Sequence, residues 1–192
     1  ELVSKLKKEK PQVSITSIEF PDHDGFLYKE IIKPVLLEKK SVSKHSMFLA
    51  FTLDQSLFQE QIIRAKGSIK EHFICDGYFT TNLAYNCMLN KYFNINDALT
   101  LAKTFGITQP DISIFIDVEP EICLQRKKDE SGHKMGLDIY ERSIEKQRIL
   151  RNAYKEMVKG KVFGNWLEIN GNSDVEVVSK KLYRELIINK FI

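Results

Sequence analysis

Four short runs, "VSITSIEF" (13–20), "HFICD" (72–76), "DISIFIDV" (111–118) and "NWLEING" (165–171), are rich in Ile, Val and Phe and bounded by Pro, Gly, Asp or Asn. β-Branched and aromatic side chains suit a pleated surface and the bounding residues suit turns, so each run reads as a strand. Between them lie stretches with helical spacing of apolar residues: 42–66 closed by Gly67, 96–104 closed near Gly106, 119–130 with Pro120 near its first turn, about 138–158 closed by Gly160, and 173–189. The last opens on "SDVE", where Ser173 can cap and Glu176 can reach back in a capping box. Pro34 argues against the second half of a helix around 26–39. Strands that alternate with helices leave few architectures, and the expectation is an α/β fold of βαβ units, a parallel sheet covered by helices on both faces. No repeat, low-complexity tract or linker interrupts it, so residues 1–192 read as a single domain.

Bulk composition excludes several classes. With 43% hydrophobic and 29% charged residues the chain has the mixture of a globular domain, and a net charge of +3 spread over 29 basic and 26 acidic side chains is no nucleic-acid-binding field. No apolar stretch approaches the roughly 20 residues that cross a bilayer. Cys75, Cys87 and Cys123 form no CxxC pair and lie in apolar or helix-like contexts, which reads as free thiols in a reducing compartment and makes the cytoplasm the expected location. The four histidines are scattered without metal-ligand spacing, so zinc is not expected. The chain opens on Glu1 in "ELVSKLKKEKPQ", which reads as the tail of a helix that Pro11 ends and whose start lies upstream.

In open parallel sheets, ligands bind beyond the carboxyl ends of the strands. Asp76 ends one strand, Asp22 and Asp24 follow another, and Asp117 lies near the end of a third. A carboxylate there can hold hydrated magnesium or take a proton; equally, it can cap the next helix. The basic run "RKKDESGHK" (126–134) reads as either a mobile loop that closes over polyphosphate or a solvated surface loop.

In order along the chain, "SIEFPDHDG", "SKHSMFLAFTLDQSLFQEQI", "CDGYFTTNLAYN", "ITQPDISIFIDVEPEICLQRKKDE" and "GLDIYERS" resemble motifs of the thymidylate kinase family of P-loop nucleoside monophosphate kinases. The resemblance implies a three-layer P-loop kinase-like fold whose first βα unit is absent from these residues, with a lid over about 126–139. It implies ATP and magnesium as cofactors, a nucleoside monophosphate and ATP as partners, a homodimer packed through the stripe on 42–66, and phosphorylation of a pyrimidine deoxynucleotide, dTMP foremost. By the same resemblance Asp76 is catalytic and holds magnesium through water, and Arg126, Lys127 and Lys128 meet the developing charge. Phe20, Phe51, Gln55, Tyr78, Tyr85, Asn86 and Tyr140 would then bind substrate, while Lys134 and Asp138 belong to the lid.

The match has gaps. No GxxxxGK[ST] occurs, and Gly77, Gln55 and Ile139 stand where the family carries arginines; "PDHDG" also lacks the arginine that follows the first strand. A guanidinium is a planar, permanently charged fork that none of these residues replaces. The alternatives are therefore a deoxynucleoside kinase or other nucleotide kinase of the same fold, or a degenerate domain that binds nucleotide without catalysis.

Overall fold

A computed structural model of the chain describes residues 1–129, 140 and 143–192. Each of the four apolar runs forms a strand. β1 (Ser14–Glu19) pairs in parallel with β2 (Glu71–Asp76), from Ser14 opposite Glu71 to Glu19 opposite Asp76. β3 (Ser113–Asp117) pairs in parallel with β4 (Trp166–Asn170). Both connections carry helices, as parallel pairing requires. The strands form two pairs rather than one sheet: among the described residues β2 and β3 each pair on one side only. A cavity of about 990 Å³ is lined by Phe73, Ile74 and Cys75 of β2 and by Ile114, Phe115 and Ile116 of β3. The two strands start side by side, since Gly67 N–H donates to the Asp111 carboxylate at 3.3 Å and the Lys66 ammonium donates to the Gln109 carbonyl.

The helical stretch expected over 42–66 is two helices, α3 (Lys44–Ser56) and α4 (Gln59–Ala65), after a short α1 (Leu2–Glu9) and α2 (Lys33–Leu36). The Ser56 hydroxyl bonds back to the Leu53 carbonyl at 2.7 Å, and the Phe58 ring is anchored edge-on to Phe20 at 5.4 Å, which turns the chain between the two helices. Ahead of α2, Tyr28–Ile32 is π-helical, and Lys33 N–H reaches back to the Tyr28 carbonyl. That wider turn lets Pro34 sit in the first turn of α2, where its missing N–H costs nothing. Helix α5 (Phe79–Leu83) runs on into π-helical Ala84–Leu89, although Thr80, Thr81 and Asn82 are poor helix formers and the sequence gives no helix signal there.

α6 (Ile95–Thr104), α7 (Pro120–Asp129), α8 (Ile144–Gly160) and α9 (Val175–Ile188) complete the fold. Two end signals are corrected. Gly160 is the last helical residue of α8, and the left-handed residue after it is Lys161, at φ 48°. The expected Ser173–Glu176 capping box does not form: Asp174 is the cap of α9 without a side-chain bond, and the Ser173 carbonyl accepts from Arg126 at 2.8 Å. The main core gathers Phe48, Phe79, Leu83 and Met157 beneath β1 and β2; a smaller one packs Ile169 of β4 on Val178, Leu182 and Leu186 of α9.

Candidate functional site

Parallel pairing brings the ends of β1 and β2 to one rim. Phe20 N–H donates to the Asp76 carbonyl at 2.7 Å, while the Asp76 side chain stands exposed beyond it. Gly77 turns the chain at φ 71°, and a Cβ there would lie 2.8 Å from the Phe20 carbonyl oxygen. The loop after β1 is tied to α3: Asp22 N–H donates to the Asp54 carboxylate at 2.9 Å. Asp54 is 1% exposed, and burial pushes its carboxyl above the ordinary range. Phe51 and Gln55 lie one turn apart on α3, the helix that Asp54 ties to the loop after β1. His23 stacks on Tyr28 at 4.2 Å and lies 3.6 Å from the Glu19 carboxylate.

Behind this rim α3 and α5 share a buried polar network. Asn82 donates to the Phe48 carbonyl at 3.3 Å and to the Thr52 hydroxyl at 3.1 Å, and its own oxygen accepts from Asn86 at 2.6 Å. Gln59 links to the Tyr78 hydroxyl at 3.0 Å and accepts from Thr108 N–H at 2.8 Å. The Tyr78 hydroxyl also donates to the Thr108 carbonyl, and burial raises its pKa. Phe20 is buried at 5.8 Å from the Tyr78 ring, so both aromatics are packed into the core. Tyr85 and Tyr140 meet edge to face at 4.7 Å, and Asn90 donates to the Tyr140 hydroxyl at 3.1 Å. Asp54 stands with Gln55 in the pair that resembles the family's Asp/Asn-Arg motif, whereas Thr52, Gln59 and Asn82 carry no signal in the sequence, where polar residues inside helices look like a solvated face.

On the other strand pair the charges are spent internally. Arg126 donates to the carbonyls of Gly171, Asn172 and Ser173 at 2.9, 3.2 and 2.8 Å, so it grips the loop after β4. Arg151 clasps both oxygens of Asp117 and reaches Glu119 at 2.6 Å, with Lys155 3.0 Å from Asp117. The Arg151 hydrogen bonds, ahead of the opposing effect of burial, hold the Asp117 carboxyl below its ordinary value. Lys127 is half-buried on α7. The Lys128 side chain, Lys134, Asp138 and Ile139 lie outside the described residues.

Among the described residues no three His, Cys, Asp or Glu groups converge as metal ligands, and no helix is long and apolar enough to cross a membrane. An exposed carboxylate at a strand end, as at Asp76 opposite Glu19, suits a magnesium ion that keeps its water and is touched through it.

Residues 1–182 match the family model for thymidylate kinase. Among curated proteins the chain is similar to the thymidylate kinase of Mycoplasmopsis agalactiae, 26% identical over 191 residues, covering 98% of this chain and 87% of that protein. It is also similar to those of Nostoc sp., 25% identical over 82% of this chain and 75% of the relative, and Caenorhabditis elegans, 24% identical over 86% and 68%. A match that runs through both strand pairs and the helices between them is a match to the fold as a whole, and the chain belongs to the thymidylate kinase family.

Proposed function

We propose that the protein transfers a phosphoryl group from ATP to dTMP, and that the rim of β1 and β2 is its acceptor site. The observation that carries this reading is the Asp54–Asp22 bond, because it ties the turn of α3 bearing Phe51 and Gln55 to the strand end beside Asp76. Phe51 covers the face of the thymine ring and Gln55 meets its edge. Asn86, Tyr85 and Tyr140 flank the sugar, and Tyr78 and Phe20 support the site from the core. Asp76 orients a hydrated magnesium ion, which when bound neutralises charge between the phosphates. Lys127, Lys128, Lys134 and Asp138 belong to a lid over about 126–139, with Arg126 at its base holding the loop after β4.

The three-layer arrangement and a single domain over 1–192 belong to the same proposal. The unpartnered edges of β2 and β3, facing one apolar cavity, support an added parallel strand between them. Leu49, Leu53, Leu57 and Ile63 are each at least 47% exposed on α3, its end and α4, which supports a homodimer packed through that face. A cytoplasmic location goes with this reading.

The test is coupled ADP release with dTMP, dUMP, thymidine and CMP, in the protein and in Asp76→Asn. dTMP is expected to be the best acceptor, and the variant to lose turnover at least about a hundredfold with its melting temperature nearly unchanged. Inertness toward all four acceptors would end the kinase reading, and equal loss of turnover and stability would make Asp76 a helix-capping residue. One sequence feature favours thymidine as acceptor: Gly77 stands where the family carries an arginine, and "PDHDG" lacks the arginine that follows the first strand. Turnover of thymidine above dTMP would decide for it.

A further inference from the structure

Resting on the acceptor reading above, we infer that Gln55 takes an N–H from the base, so that the site accepts an amino-pyrimidine nucleotide as well as the thymine nucleotide. Gln55 is 2% exposed, and among the described residues its Oε1 is the one buried side-chain polar atom without a hydrogen-bond partner. Everything around it is matched. Thr52 donates to the Phe48 carbonyl at 2.8 Å, Asn82 serves Thr52, Asn86 serves Asn82, and Gln59 binds Tyr78 and Thr108. The backbone carbonyl of Gln55 itself accepts from Gln59 at 2.9 Å.

A protein that satisfies four neighbouring side chains and leaves one acceptor bare has kept that acceptor for a donor that arrives with the ligand. Gln55 sits one helical turn after Phe51 and next to Asp54, which holds the loop after β1. The incoming donor is therefore on the edge of a ring that Phe51 covers. A guanidinium, which the family places here, only donates and so selects a carbonyl edge. The Gln55 amide offers an acceptor beside a donor. Against thymine, its oxygen takes the imide N–H while its NH2 meets a carbonyl. Turned over, the same amide takes the exocyclic amine of cytosine and donates to the adjacent ring nitrogen.

The test is the ratio of dTMP to dCMP, read both as kcat/KM and as equilibrium dissociation constants, in the protein, in Gln55→Arg and in Gln55→Glu. Folding of each variant is checked by circular dichroism. The inference predicts that the unaltered protein uses and binds dCMP within about tenfold of dTMP. Gln55→Arg, a donor alone, shifts the ratio toward dTMP by at least about tenfold, and Gln55→Glu, an acceptor alone, shifts it toward dCMP. If dCMP is discriminated against by more than about a hundredfold, or the ratio is unmoved in both variants, the inference is overturned while the kinase reading stands. If neither nucleotide is turned over, the kinase reading fails, and the binding ratio still decides the role of Gln55.

Discussion

Gly77 shows how tightly single residues are bound to this rim. At φ 71° it occupies the left-handed region, and any Cβ would press on the Phe20 carbonyl at 2.8 Å. A non-glycine residue in that region costs about 1–2 kcal/mol before the contact is counted. Gly77→Ala is therefore expected to lower stability by about 2 kcal/mol or more, read as a shift of the denaturant midpoint at unchanged slope. The family arginine cannot simply be restored here, because the backbone that places Asp76 depends on the absence of a side chain. Gln55 is a different kind of departure. Nothing in its backbone demands it, and its unpartnered oxygen points to recognition rather than to packing.

Elements are joined by a few charged clasps. Arg151 of α8 holds Asp117 at the end of β3, an ion pair with Lys155 as its third member and Asp117 only 8% exposed. Because the folded carboxyl is held below its unfolded value of about 3.9, its contribution to stability is complete above that pH and is lost as pH falls through the lower folded value. Arg151→Met should cost about 2 kcal/mol at pH 7, and the gap in melting temperature from the unaltered protein should narrow below about pH 4. Thermal melts of both proteins at pH 7 and pH 3 check this. A gap that stays constant would mean the clasp acts through packing of the arginine stem alone.

The four strands and most helices were legible in the sequence because β-branched runs and helical spacing are local signals. The features that were not legible depend on partners far along the chain. The break between α3 and α4 follows from Phe58 meeting Phe20, and Arg126 binds carbonyls 45 or more residues away. The buried bonds of Asn82 to the Phe48 carbonyl and the Thr52 hydroxyl exist only because α3 and α5 lie side by side. The family resemblance proposes Asp76, Phe51 and Gln55 as site residues, whereas the hold of Arg126 on the loop after β4 has no signal in the sequence.

At the scale of the whole molecule, the β1–β2 pair carries the proposed acceptor rim and the β3–β4 pair the charged clasps, and one cavity lies between the pairs. On that proposal dTMP binds at the end of β1 and β2. Amide chemical shifts followed during titration with dTMP locate the nucleotide: the largest changes are expected on residues near Asp22, Phe51, Gln55 and Asp76. Changes centred on Asp117, Arg151 and the loop after β4, or no saturable change at millimolar dTMP, would contradict the proposal.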